Sequence, residues 1–183
     1  MSRREDNRRA RRDALVAAAA ALFAEEGYDA TTVDRIAEVA GLSRRTFFRY
    51  FPGKEDAAFP DHADRLAFFA EAVTGEGPAW GRVRSGFVAL GEQLSSERAR
   101  VVQLQRVVES SPALVAADRR RDLEWEAVVA KALSADRTPI DARILAGAVM
   151  GAIRATLCAW FADEGHTDLV AEGLHAFELL ERG

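Results

Sequence analysis

Residues 27–54 read GYDATTVDRIAEVAGLSRRTFFRYFPGK, and their spacing decides the fold. Thr31 and Thr32 are helix-start residues, because a β-hydroxyl accepts a hydrogen bond from an unpaired N–H of the first turn. Val33, Ile36, Ala37 and Ala40 follow at i, i+3, i+4 and i+7, a full amphipathic match. Gly41 ends that helix after about two turns. Ser43 caps a third element, which runs through Arg44 to Phe51 until Pro52-Gly53 breaks it. A short helix, a glycine turn with Leu42 as its apolar anchor, and a second capped helix form a helix-turn-helix. In that geometry the start of the second helix reaches base edges in a major groove. Arg44 and Arg45 stand there and match the bidentate acceptor pair O6/N7 of guanine. Thr46, Arg49 and Tyr50 are sized to bond phosphates, and the N–H groups of the Thr32- and Ser43-capped helices add anion sites. The same spacing also fits a plain αα-hairpin with a solvated basic face. The neighbouring sequence favours the groove-reading version.

Before this stretch, residues 1–12 read MSRREDNRRARR, six arginines against two acids. Such a segment buries no core and predicts a disordered basic arm that tracks phosphates or enters a minor groove. From Asp13, Leu15, Ala18, Ala19, Leu22 and Phe23 form one apolar stripe, closed by Gly27. After Lys54 the helical pattern resumes to about 74, with a kink or restart at Pro60. Gly75, Gly77 and Pro78 form a linker, and helices follow over 79–95, 97–109, 113–134, 139–163 and 167–181. No useful run alternates with period two, so the fold class is all-α with about nine helices. The expected domains are a basic arm over 1–12, a three-helix DNA-binding head over 13–54, and a helical remainder over 55–183.

Charge divides the same way. Of 183 residues, the first 54 carry 11 Lys+Arg and 8 Asp+Glu, while the rest carry 14 and 21, for a net −4. A basic front on an acidic body predicts a polyanion partner at one end only. The single cysteine, Cys158, excludes an intramolecular disulfide and a Cys-rich zinc site, and it suits a reducing cytoplasm. Its place in an apolar helix predicts inert packing. His62, His166 and His175 are far apart and make no metal spacing. Phosphate-loop and nucleophile-elbow motifs are missing, so no catalytic residue, cofactor or metal is expected. No apolar segment follows the basic start, which predicts no secretory signal. Residues 144–162 are apolar enough to suggest a membrane span with Gly147-x-x-x-Gly151 inside. Arg154 at mid-span and the flanking charges favour a buried helix of a cytoplasmic protein with no membrane partner.

With these residues in view, the chain resembles the TetR family of bacterial transcriptional regulators. The resemblance rests on Gly27, Tyr28, Thr31, Thr32, Val33, Ile36, Ala37, Ala40, Gly41, Ser43, Thr46, Phe51 and Lys54, within about residues 13–56. It implies phosphate contacts from Thr32, Thr46, Tyr50 and Lys54, and it places Arg44, Arg45 and Arg49 at positions that vary with operator sequence. There are two departures. Phe48 replaces a common tyrosine and suits an apolar contact, for example with a thymine methyl; Arg45 replaces a small residue.

The resemblance also implies a homodimer built on the last two helices and an effector pocket among the middle ones. Residues 139–163 carry two apolar stripes. One holds Ile140, Ile144, Gly147, Gly151, Cys158 and Phe161 with Arg154 in line; the other holds Leu145, Val149, Ala152, Ile153, Thr156 and Trp160. For the dimer the expected residues are Val149, Ile153 and Trp160 with Leu169, Leu174 and Phe177 of the last helix. For the pocket they are Phe68, Phe69, Phe87, Leu104, Trp125 and Leu157, residue types that equally fill an ordinary core. Arg154 must meet a ligand anion or an internal carboxylate. Arg119-Arg120-Arg121 reads as a solvated patch. The implied function is a dimeric repressor released from a palindromic operator by a small-molecule effector. The alternatives are a non-specific architectural nucleic-acid binder and a helical small-molecule-binding protein.

Overall fold

Nine α-helices form among the described residues, 3–182, of the computed structural model: α1 (Arg3–Glu25), α2 (Val33–Val39), α3 (Arg44–Tyr50), α4 (His62–Ala72), α5 (Ala79–Ser96), α6 (Arg98–Glu109), α7 (Pro112–Leu133), α8 (Pro139–Ala162) and α9 (Leu169–Arg182). No strand occurs among these residues. The all-α reading is therefore correct. Two boundaries differ. Between Lys54 and Pro60 the chain makes only a 3-10 turn, Glu55–Ala57, and α4 starts after the proline. The segment expected to be a disordered arm is helical from Arg3, continuous with α1 (Met1 and Ser2 lie outside the described residues). Arg4, Arg8 and Arg11 extend the stripe that Leu15 and Leu22 continue toward the core, so the helix propagates without apolar burial in its first turns.

The chain forms two compact units. The first runs to Asp61 and includes residues 103–118; the second comprises 62–102 and the chain from Arg119 onward. This first unit extends past Lys54 and takes in a distant segment. Its core explains why: Leu15, Ala19, Leu22 and Phe23 of α1, Ile36 of α2 and Phe47 of α3 are joined by Val107, Val108 and Leu114. Three short helices alone expose too much apolar surface for a core of this size.

In the second unit α4 packs on α5, α5 on α9, and α9 on α8. Its main core contains Phe69, Val83, Leu90, Val129, Leu133, Ala146, Val149, Met150 and Phe177. A smaller cluster holds Val101, Val102, Trp160 and Leu169. Gly86 brings two elements close: a Cβ built there would stand 2.8 Å from the Phe69 ring. Thr138 caps α8 by accepting from the Asp141 N–H at 3.3 Å, and Pro139 occupies the first turn, where its missing N–H costs nothing. Asp136 accepts the Ala79 N–H at 3.0 Å and so caps α5, whose preceding Pro78 has no side chain to do it.

Candidate nucleic-acid interface and ligand-binding unit

Two turns and two caps aim the helix-turn-helix. At the end of α1, Gly27 adopts φ +83°, and the buried Thr31 hydroxyl donates to the Gly27 carbonyl at 2.8 Å. Thr32 then caps α2 by accepting from the Arg35 N–H at 3.2 Å. At the end of α2, Gly41 (φ +65°) donates to the Glu38 carbonyl at 3.0 Å while Leu42 donates to that of Ala37 at 2.8 Å. This 5→2 and 6→1 pair is a Schellman turn, which needs a left-handed residue at Gly41. Ser43 caps α3 by accepting from the Thr46 N–H at 3.2 Å, and the two hydroxyls are 2.9 Å apart.

α3 is anchored by Phe47, fully buried between Phe48 and Phe51 with both ring centroids 5.6 Å away. Spacing alone did not single out Phe47, although it stands four residues before Phe51 on the inner face. With that face fixed, Arg44, Arg45, Phe48 and Arg49 are exposed, Phe48 by 45%, while Thr46 and Tyr50 are half-buried at the rim. Arg49 lies over the Tyr50 ring at 5.2 Å. Arg44 donates from Nη1 to Asp34 Oδ2 at 2.7 Å and sits over the Phe48 ring at 5.4 Å. Asp34 was not foreseen; only the turn geometry brings it beside Arg44.

Lys54 has a second occupation. Its ammonium donates to the Tyr28 carbonyl at 2.5 Å and to the Thr31 carbonyl at 2.9 Å, and lies 4.0 Å from the Tyr28 ring centroid. It thus fastens the α1–α2 turn to the 3-10 turn through two of its three N–H groups. Burial pushes its pKa below the usual lysine value, partly offset by Asp29. Arg12 ties α1 to the end of the head: it donates to the Pro60 carbonyl, lies 3.7 Å from Asp61 and stands over the Phe51 ring at 5.9 Å.

In the second unit the structure gathers only part of the expected pocket set. Phe69 meets Phe87 at 4.5 Å and Trp125 at 5.5 Å, and Phe87 and Trp125 are 6.5 Å apart. His62 meets the Trp125 edge at 6.1 Å and bonds Glu124 at 3.0 Å. Phe68, next to Phe69 on α4, instead faces outward with 38% exposure. Leu157 packs in the separate cluster of Val101, Val102, Trp160 and Leu169, and Leu104 falls in the 103–118 segment of the first unit. Arg154 meets an internal carboxylate, Asp122, at 3.1 Å; Asp122 also lies 3.6 Å from Arg119.

Most of the α8 and α9 residues expected at a partner subunit lie inside the protomer. Val149, Trp160, Leu169 and Phe177 are buried among the protomer's own helices, and Ile153 is half-buried. The Trp160 indole N–H is spent on the Thr167 carbonyl at 3.1 Å. Of the six residues assigned to a partner subunit, only Leu174 stays exposed. The exposed face carries Ile140, Ile144, Gly147, Ala155 and Cys158, so Cys158 is not interior packing. The inner face mixes sizes: Ala142 and Ala146 lie fully buried beside Val149, Met150 and Trp160, small and large side chains filling one core together. α8 is long and apolar enough to cross a membrane, and 22% of its most apolar window is buried within the chain. Among the described residues no group of His, Cys, Asp or Glu is placed to hold a metal.

A capped, aromatic-anchored helix-turn-helix that exposes three arginines, joined to a larger helical unit, defines the class of helix-turn-helix DNA-binding proteins. Sequence comparison refines this. A profile described as "Bacterial regulatory proteins, tetR family" matches residues 15–56, and one described as "MftR C-terminal domain" matches residues 77–183. The chain belongs to the TetR family of bacterial transcriptional regulators. The HTH-type transcriptional regulator TcmR of Streptomyces glaucescens is 36% identical over 141 residues, covering 72% of this chain and 62% of TcmR. MftR of Mycobacterium tuberculosis, described as a mycofactocin biosynthesis transcriptional regulator, is 30% identical over 113 residues, covering 60% of this chain and 57% of MftR. The matches thus span less than two thirds of these relatives. The fold is shared with SmeT of Stenotrophomonas maltophilia in its triclosan complex, with a TM-score of 0.70 and 18% identity over 93% of this chain and 89% of SmeT.

Proposed function

We propose that this chain is a cytoplasmic, dimeric repressor that binds a palindromic operator through α3 and is released by a small-molecule effector held in the second unit. The observation that carries the reading is the outer face of α3. Phe47 fixes the helix from inside, so Arg44, Arg45, Phe48 and Arg49 project together from a rigid element. Arg44 and Arg45 take guanine edges, Phe48 takes a thymine methyl, and Thr32, Ser43, Thr46, Arg49, Tyr50 and the remaining Lys54 N–H take phosphates. The helical start of α1 narrows the role of its arginines. A helix about 10–12 Å across does not enter a minor groove about 6 Å wide. Arg4, Arg8 and Arg11 therefore serve phosphates.

Two recognition helices are needed to read two half-sites about 34 Å apart, and the exposed face of α8 supplies the seam between protomers. Gly147 and Gly151 allow close helix approach there, flanked by Ile140 and Ile144. The effector is apolar, matched to the Phe69–Phe87–Trp125 cluster, and SmeT, which shares this fold, forms a complex with triclosan. Release follows by population shift: effector favours a spacing of the two heads that no longer fits successive grooves. Operator DNA then weakens effector binding by the same factor.

The test is anisotropy binding to duplexes flanking the protein's own gene, against scrambled duplex, at two salt concentrations. A preference of about 10³ or more supports the repressor reading. Equal, steeply salt-dependent binding to duplexes later selected from random DNA and to scrambled duplex overturns it in favour of an architectural binder.

A further inference from the structure

Asp34 places a negative charge on the helix-turn-helix surface, 64% exposed, beside the helix that is to meet a polyanion. Electrostatics alone offers no benefit from that charge, since a carboxylate there opposes every duplex equally. Nor does the pair it makes hold the head together, because both partners are open to solvent, at 61% and 64%. What the pair does is restrain a direction. Arg44 is held on its edge by Asp34 Oδ2 at 2.7 Å and on its face by the Phe48 ring at 5.4 Å. The two restraints come from different elements, α2 and α3, and the Schellman turn at Gly41–Leu42 sets their relation. A guanidinium carries five N–H groups in a planar fork. Asp34 takes one, on Nη1, so other N–H groups of the fork remain for the O6 and N7 acceptors of a guanine. An arginine already restrained loses less side-chain freedom when it binds.

We propose that Asp34 is a specificity-determining positioning residue: from α2 it holds Arg44 against the Phe48 ring in the orientation that reads guanine. The proposal rests on the DNA reading above. It gives Asp34 two effects of opposite sign. Its charge weakens binding to all DNA, while its hold on Arg44 strengthens binding only where the guanine is present.

The wild-type protein is used to select duplexes from a random-sequence library. The guanine read by Arg44 is then the one whose change to adenine weakens the wild type but not Arg44→Ala. Wild type, Asp34→Ala and Asp34→Asn are titrated against the selected duplex, its guanine-to-adenine version and a scrambled duplex, with thermal melts alongside. Asp34→Ala is expected to bind scrambled duplex more tightly and to lose about threefold in its guanine-over-adenine ratio. Asp34→Asn, which keeps an acceptor oxygen without the charge, is expected to retain part of that ratio. All melting temperatures are expected to match. Tighter binding to every duplex with the ratio intact overturns the proposal and leaves Asp34 as an unfavourable charge, with the DNA reading standing. Weaker binding to every duplex with a lowered melting temperature overturns it in favour of a purely structural residue. A wild type with no base preference overturns the DNA reading, and this proposal with it.

Discussion

At the scale of single residues, side chains that look alike in the sequence have different jobs once their partners are known. Lys54 and Arg49 both read as phosphate ligands, yet Lys54 gives two of its N–H groups to the Tyr28 and Thr31 carbonyls while Arg49 lies exposed over Tyr50. Removing Lys54 leaves two carbonyls of the α1–α2 turn without their charged donor. Lys54→Met is expected to lower stability by about 1–3 kcal/mol in urea unfolding, beyond any effect on DNA. Arg49→Ala is expected to leave stability unchanged, to weaken binding to all duplexes alike and to reduce the salt slope by about one. Equal loss of stability in both variants would contradict this division. Ser111 is the converse case. Its hydroxyl is buried and has no hydrogen-bond partner among the described residues, so it pays desolvation without return. Ser111→Ala is expected to raise stability by about 1 kcal/mol, read as a higher melting temperature.

At the scale of elements, caps and turns made the recognition region legible. Thr32, Gly41 and Ser43 occupy the positions their chemistry implies, and α2 and α3 start within a residue of where those signals put them. Such local signals act through backbone groups within a few residues, so no tertiary contact is needed to read them. The start of α1 was illegible for the opposite reason. Only Ala10 is apolar among residues 3–12, and composition alone argues for disorder, but a helix anchored by the buried Leu15 and Phe23 extends through arginines at little cost. The roles of Asp34 and Phe47 have no sequence signal, because they exist only once α2 and α3 are set against each other by the turn. That turn is therefore the element on which the site depends. Gly41 holds φ +65°, and a Cβ there meets no atom within 4 Å, so any cost of substitution is conformational. Gly41→Ala is expected to destabilise the head by about 1–2 kcal/mol and to reduce DNA selectivity more than a substitution of equal cost in α9. An unchanged melting temperature would show that the turn does not need the left-handed residue.

At the scale of the whole chain, periodicity identified α8 as apolar all round but gave no means of telling which stripe faces inward. Both stripes repeat every three to four residues, so periodicity ranks neither above the other. Packing resolves it, since Val149 is fully buried while Ile144 is 63% exposed, although both are β-branched aliphatics on one helix. The same substitution at these two positions therefore separates folding from assembly. Val149→Arg places a guanidinium in the main core of the second unit with no acid expected to meet it, and a loss above about 4 kcal/mol follows, enough to unfold a marginally stable domain. Ile144→Arg puts the same charge where the isolated protomer faces water, so its helical content and melting midpoint at low concentration are expected to match those of the wild type. If the exposed face of α8 joins two protomers, the variant sediments as a 20.0 kDa monomer under conditions where the wild type sediments at twice that mass. Its binding to a two-half-site duplex then falls toward its binding to a single half-site, because the link that made the second contact intramolecular is gone. A dimer that persists in Ile144→Arg would move the seam away from α8, and Leu174, exposed on α9, would be the next position to charge.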